Sequence, residues 1–267
     1  MLIAVDTGGT KTLVAAFTNR GSLSRTTKFP TPKNQGEYIE TLVEAIREVT
    51  KSEEIDAIIV ALPGRVEPNG VLALARNIGW EDFDVKKALK KTFSVPILVE
   101  NDANLAGLAE SKLHKDPRVC LYVTVSTGIG TGIITDGKIN PYFAQSEGGQ
   151  MVVEHDGGLK RWENFASGNA IRLAYGKLAK DINSKHAWRK IAKNISVGLL
   201  AITPVARPDM IIIGGSIGTY FDRYEEYLVG YLKEQLHYVP PIVAASHPEE
   251  AVIYGCYYYA VDQLAAH

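Results

Sequence analysis

Neither charge sign dominates this chain, and cysteine is scarce. Lys and Arg number 29 against 30 Asp and Glu, for a formal net charge of -1. No basic field therefore exists to recruit nucleic acid or an anionic membrane. The one local basic cluster, Lys86, Lys87, Lys90 and Lys91, has the spacing of the wet face of an amphipathic helix. There are 2 cysteines. Cys120 and Cys256 each sit in an apolar stretch and read as buried thiols of a reduced, cytoplasmic protein, with no disulfide between them. No apolar run is long enough to span a bilayer, and no secretory leader is expected. Because the first candidate segment begins at residue 6, no N-terminal targeting or DNA-binding module is expected either.

What is present is an ordinary globular composition, 46% hydrophobic and 22% charged over 267 residues. That length can bury a sizeable core without a metal or disulfide staple. The chain opens with strand patterns over Leu2–Val5, Thr12–Phe17 and Leu23–Lys28. A helix at Glu37–Thr50 and a buried strand at Ile55–Ala61 follow. Val85–Phe93 reads as helix, Ile97–Val99 as strand and Ala103–Leu113 as helix. The pattern then restarts. Val119–Val125 and Gly132–Thr135 predict a hairpin around a glycine-rich turn, and Asp136-Gly137 is a second turn signal. Helices at Asn169–Lys180, His186–Ile202, Tyr220–Gln235 and Glu250–Ala265 surround strands at Met210–Ile213 and Ile242–Ala245. Each half opens with a hairpin around a Gly/Thr turn. This weak internal duplication predicts two similar α/β lobes with a cleft between them. The expected division is 1–110 for the first lobe, with 251–267 packing back on it, and 111–250 for the second. A hinge is expected near 103–118.

Chemistry concentrates in a few segments. Asp6-Thr7-Gly8-Gly9-Thr10-Lys11-Thr12 follows the first strand. It lacks the Walker spacing, but a Gly-Gly-Thr turn can offer N–H and hydroxyl donors to phosphate, and Asp6 could hold hydrated Mg²⁺. A plain hairpin with an Asp-initiated turn is the alternative. Ser126 to Gly132, with Thr127, Gly128, Gly130 and Thr131, is the matching turn of the second half. It is either a second phosphate clamp or a glycine-rich bend. Gly214-Gly215-Ser216 ends a buried strand where a nucleotide would rest, or where glycine serves turn geometry alone. Glu100-Asn101-Asp102 ends another strand. Asp102 is either the base that orients an attacking alcohol or the N-cap of the following helix. Asn101 can reach neighbouring hydroxyls. Glu147 and Glu163 are sugar-reading carboxylates or plain surface acids. His155, between Glu154 and Asp156, reads as a solvated loop residue rather than a metal ligand. Two phosphate turns and an acid past a strand together point to phosphoryl transfer to an alcohol.

These segments, in this order, resemble the ROK (repressor, open reading frame, kinase) sugar kinases along almost the whole chain. The match rests on Val5 to Thr12, Leu62-Pro63-Gly64, Asn77-Ile78-Gly79-Trp80, Glu100 to Asn104, Ser126 to Gly132, Glu147 to Met151 and Glu163 to Gly168. The resemblance implies the two-lobed actin-like ATPase (ribonuclease H-like) fold with an interlobe cleft. It implies an ATP-dependent hexokinase of glucokinase type acting on the 6-OH of glucose, with ATP or polyphosphate as donor and Mg²⁺ as cofactor. The implied donor residues are Asp6, Gly8, Gly9, Thr10, Lys11, Thr127, Gly128, Gly130, Thr131, Gly214, Gly215 and Ser216. Those for the sugar are Gly64, Asn77, Asn101, Asp102, Glu147, Gln150 and Glu163. Two departures are visible. Gln150 stands where the family usually has a His that also meets zinc, and Glu154 to Trp162 holds no cysteine, so no zinc is expected. This zinc-free layout is similar to the polyphosphate glucokinases and glucomannokinases. Mannose, fructose and N-acetylhexosamines remain alternative acceptors. A non-catalytic sugar sensor is the alternative of another class, and retention of Asp102 argues against it. The expected partner is a small-molecule hexose, with no nucleic acid or membrane, and a homodimer is compatible with the family.

Overall fold

A computed structural model describes residues 1–115, 117–247 and 250–265. Asp116, Pro248, Glu249, Ala266 and His267, which the expected hinge and domain limits include, lie outside the described residues. The chain forms two compact units, Met1–Ala109 with Glu250–His267, and Glu110–Glu249.

The first unit begins with β1 (Leu2–Thr7), β2 (Lys11–Phe17) and β3 (Leu23–Pro30), followed by α1 (Gln35–Thr50) and β4 (Ala57–Leu62). A small antiparallel sheet of β5 (Arg65–Val66), β6 (Leu72–Ala75) and β7 (Trp80–Phe83) comes next. The unit continues through α2 (Val85–Leu89), β8 (Ile97–Asn101) and α3 (Asp102–Ser111). The main sheet has the order β3-β2-β1-β4-β8. β1 pairs antiparallel with β2 and parallel with β4, and β4 pairs parallel with β8. All six residues of β4 are buried. Such a run, apolar on both faces, is what a central parallel strand requires.

The second unit repeats this plan. It holds β9 (Val119–Val125), β10 (Ile129–Thr135), β11 (Lys138–Ile139), β12 (Val152–His155) and β13 (Gly158–Arg161). These are followed by α4 (Glu163–Ala166), α5 (Gly168–Tyr175), α6 (Lys185–Ala206), β14 (Met210–Gly214), α7 (Gly215–Gly218), α8 (Glu225–Gln235) and β15 (Ile242–Ala244). The sheet order is β11-β10-β9-β14-β15, with an antiparallel hairpin on one side of β9 and parallel strands on the other. The internal duplication read from the sequence is thus visible as two sheets of one topology. The last helix, α9 (Ala251–Leu264), returns to the first unit. There Gly255 meets Leu105 so closely that a Cβ would stand 2.0 Å from its carbonyl oxygen. Cys120 and Cys256 are both free and buried.

Several local expectations need correction. The β5–β7 sheet and the β12–β13 hairpin were not anticipated, because each strand is only two to four residues long and too short to show a period. Residues 169–180, expected as one helix, split at Gly176, whose φ of +64° ends α5 in a left-handed cap. His155 is not a solvated loop residue. It lies in β12, stacks on Phe165 with ring centroids 3.8 Å apart, and meets Asn194 Oδ1 at 3.2 Å. Among the described residues no helix is long and apolar enough to cross a membrane.

The core of the second unit is packed tightest where Trp162, fully buried, lies against α6. A Cβ on Gly198 would stand 2.0 Å from the indole ring. Gly198→Ala is expected to cost about 1–3 kcal/mol through overpacking. That lowers the melting temperature of this unit by several degrees, as calorimetry would register. An unchanged melting temperature would contradict this packing.

Candidate active site

The first unit carries a turn and two carboxylates at one end of its sheet. β1 ends on Asp6-Thr7, the turn runs through Gly8, Gly9 and Thr10, and Lys11 opens β2. Gly8 N donates to the Lys11 carbonyl at 3.0 Å, and a Cβ on Gly8 would crowd that oxygen at 2.9 Å. Thr31, which the sequence did not single out, clamps the turn. Its hydroxyl donates to the Gly8 carbonyl (2.8 Å) and meets Thr12 Oγ1 (2.9 Å), while its N–H donates to the Thr10 carbonyl (3.0 Å). Beneath Asp6, the buried Tyr38 hydroxyl meets Thr7 Oγ1 at 2.7 Å. Thr10 and Lys11 are exposed. Asn77 is exposed too, and its amide lies against the turn, 3.4 Å from where a Cβ on Gly9 would be. Asn77 thus stands beside the Gly8-Gly9 turn.

Asp102 opens α3 directly after β8. The N-cap role belongs to Asn101, whose Oδ1 accepts from Ala103 N (2.9 Å) and Asn104 N (3.1 Å). Asn101 Nδ2 donates to the Gly64 carbonyl at 2.8 Å, and its side chain also bonds the Asp102 carboxylate. Gly64 must be glycine: its φ is +88°, and a Cβ would stand 2.2 Å from the Leu74 carbonyl. Glu100 is held behind this corner by Asn101 N (2.8 Å) and Asn104 Nδ2 (2.9 Å). Burial raises its pKa, and those two bonds pull the other way.

Asp102 accepts from Ala103 N at 2.8 Å. Asp102 and Asp6 keep part of their surface open to solvent, while protein atoms enclose them elsewhere. Burial pushes Asp102 up to about 7, and the negative charge of Asp6 pushes in the same direction. Burial pushes Asp6 up to about 6, partly offset by the Lys11 ammonium. A carboxylate that titrates near neutrality is suited to taking a proton. Asp6 fits the part of a water-mediated Mg²⁺ ligand, since Mg²⁺ is commonly held by one or two carboxylates together with substrate phosphates. Among the described residues, no group of three or more His, Cys, Asp or Glu could hold a metal by itself.

The second unit carries the matching turn. It is shorter than expected: Ser126 N donates to the Gly128 carbonyl (2.9 Å) and β10 already begins at Ile129. Gly130 and Thr131 are therefore strand residues, paired with Thr124 and Val123. Thr131 is buried, and its hydroxyl accepts from Gly148 N at 2.9 Å. Structural bonding thus takes up Thr131, which was expected to meet the donor. Thr127 is exposed and Gly128 half-buried. Gly214 and Gly215 bring β14 hard against β9. A Cβ on Gly214 would stand 2.1 Å from the Tyr122 hydroxyl, and Gly215, with φ +76°, would meet Thr124 and Val125 at 2.6 Å. Ser216 Oγ comes to 3.5 Å from Ser126 Oγ. Ser126, Thr127 and Ser216, with Asn169, Arg172, Lys180 and Tyr220, line a cavity of about 350 Å³.

Glu163 and Gln150 meet: Gln150 Nε2 donates to Glu163 Oε1 at 2.7 Å. The other Glu163 oxygen lies 3.0 Å from where a Cβ on Gly128 would be. Glu147 is exposed, and its backbone carbonyl accepts from Gln150 N at 2.9 Å.

The chain is similar to several known proteins. A glucokinase from Streptomyces coelicolor is 27% identical over 281 residues, covering 86% of this chain and 89% of that one. The solved polyphosphate/ATP-glucomannokinase of an Arthrobacter strain superposes with a TM-score of 0.75 at 28% identity, over 100% of this chain and 99% of that one. A ROK glucokinase from Streptomyces griseus, solved with glucose and AMPPNP, has a TM-score of 0.81 at 22% identity, over 96% and 97%. The fold is thus the actin-like α/β arrangement of these kinases. A xylose repressor from Bacillus subtilis is also similar, 25% identical over 182 residues, which are 59% of this chain and 47% of that protein. The ROK family model itself matches residues 2–263, and the chain belongs to the ROK family.

Proposed function

We propose that this ROK sugar kinase transfers the γ-phosphoryl group of ATP to a hexose hydroxyl, the 6-OH of glucose, with Asp102 as general base. The observation that carries this is the Asp102 carboxyl at the mouth of α3, raised to about 7 by burial and by Asp6. The chemistry asks little covalent work of the protein. An alcohol must be held in line with the phosphoryl group, and its proton accepted late. Asp102 orients the hydroxyl and takes that proton, and the products are the sugar phosphate and ADP. Thr10, Lys11, Thr127 and the backbone around Gly8, Gly9 and Gly128 offer donors to phosphate oxygens. Asn77, Asn101, Glu147 and Glu163 are assigned to the sugar, with Gln150 beside them on the Glu163 carboxylate. Mg²⁺, with Asp6 reaching it through water, would neutralise charge on the phosphates when bound.

The donor is assigned to ATP because of the cavity lined by Ser126, Thr127 and Ser216. Its volume of about 350 Å³ lies within the range of small-molecule sites, and a bare polyphosphate chain would not need it. Inorganic polyphosphate is the alternative donor, favoured by the likeness to the Arthrobacter glucomannokinase. A sugar-sensing protein without catalysis is disfavoured by the presence of both Asp102 and Asp6.

Four outcomes are expected. Asp102→Asn should lower kcat by about 100-fold or more, measured by coupled assay with a panel of hexoses. Near-normal turnover would end the assignment. The wild-type kcat/KM for the sugar should fall as pH drops below about 7, the value for Asp102, because the base is then protonated; a flat profile down to about pH 5 would contradict it.

Stability should run the other way. A raised carboxyl makes the native state bind more protons than the unfolded chain between the ordinary value of 3.8 and about 7. Stability therefore falls as pH rises through that window. Asp102→Asn should consequently melt higher than wild type at about pH 8, with the gap closing towards about pH 4. Separately, Ser216→Trp, which fills the cavity, should raise KM for ATP by about tenfold or more while leaving KM for the sugar in place. A matched change in both would separate this cavity from the donor.

A further inference from the structure

We propose that Gln150 is a positioning residue for Glu163. Its amide fixes the carboxylate so that one oxygen is held and the other is presented beside the Gly128 turn, to accept from a sugar hydroxyl. This rests on the sugar-kinase activity proposed above and assigns the feature that sets acceptor affinity.

The placement of Gln150 is imposed by its backbone. Gly148 and Gly149 pack directly on β10: a Cβ on Gly149 would stand 2.1 Å from the Ile129 carbonyl, and one on Gly148 would stand 2.5 Å from Thr131 Cγ2. Gly148 N also donates to Thr131 Oγ1 at 2.9 Å. The short 3-10 turn Gly148–Gln150 is thereby riveted to the strand that leaves the turn. Glu163 is anchored against the same segment. It follows Trp162, which is fully buried and whose N–H donates to the Met151 carbonyl at 2.9 Å. Two backbones joined by that bond thus bring Nε2 of Gln150 within 2.7 Å of Oε1 of Glu163.

A carboxylate can only accept hydrogen bonds, so the amide must turn its NH₂ group toward it. That bond holds Oε1 and sets the rotation of the carboxylate plane. Oε2 is left near Gly128, with a fixed direction. Losing a hydrogen bond to a charged group costs roughly a ten- to hundredfold factor in an equilibrium constant. That loss should fall on binding of the acceptor sugar, since Gln150 would act only through Glu163.

The test uses the full-length protein with D-glucose, D-mannose and D-fructose. Sugar binding is measured by calorimetry, and KM for sugar and for ATP by coupled assay. Gln150→Met keeps the length of the side chain and removes the amide. It should raise Kd and KM for the preferred sugar by about tenfold or more, with KM for ATP within about twofold of wild type. Gln150→Glu opposes two carboxylates. Its sugar affinity, relative to wild type at each pH, should be poor at about pH 8 and recover towards about pH 5.5, where a shared proton restores the bond. Gln150→Met should show no such recovery. A purely structural role would lower the melting temperature without this pH signature. If wild type uses a sugar but Gln150→Met binds it equally well, or Gln150→Glu shows no pH-dependent recovery, the positioning role is wrong. If wild type neither binds nor phosphorylates any of the three sugars, the sugar-kinase activity falls, and this role with it.

Discussion

Two carboxylates held near one another at the end of a single sheet are the constraint on which the first unit is built. Asp6 and Glu100 are both in register with Ala61 of β4, on either side of it, and Asp102 follows one residue after β8. Burial and mutual repulsion make this arrangement costly at neutral pH. The surrounding bonds hold it in place: Asn101 caps α3 and ties it to Gly64, Glu100 ties Asn101 to Asn104, and Tyr38 supports Thr7.

Much of this was legible in the sequence. The buried strands that carry the site could be read because runs such as Ala57–Leu62 are apolar throughout, and the turns because Gly8-Gly9 and Gly128 interrupt them. Other features were invisible because they depend on contacts distant in the chain. Thr31 is an ordinary threonine until the fold brings it to the Gly8 carbonyl, 23 residues away. Gly130 and Thr131 looked like turn residues because glycine alternation resembles a loop, whereas β9 supplies the pairing that makes them strand. His155 looked solvated because its neighbours are acids, yet alternation in β12 turns its ring inward onto Phe165.

Glycine explains the architecture of the second unit better than any polar residue does. Gly149, Gly168, Gly198, Gly214 and Gly215 each sit where a Cβ would come within 2.6 Å of another atom or closer. They let the end of β9, the start of β10, the end of β14 and the segment around Glu163 converge. The polar groups assigned to donor and sugar occupy the space left around that convergence. In the first unit Gly64 and Gly255 allow similarly close approaches, and carboxylates and amides fix the corner around Asp102. The two units therefore share a sheet topology while differing in chemistry.

The most direct measurement is phosphorus NMR of the wild-type protein with Mg·ATP, with and without D-glucose. The account predicts that a sugar 6-phosphate resonance grows in step with ADP when sugar is present, and that ATP is nearly unchanged in its absence. Equal release of inorganic phosphate in both samples, or unchanged ATP in both across the hexose panel, would contradict it.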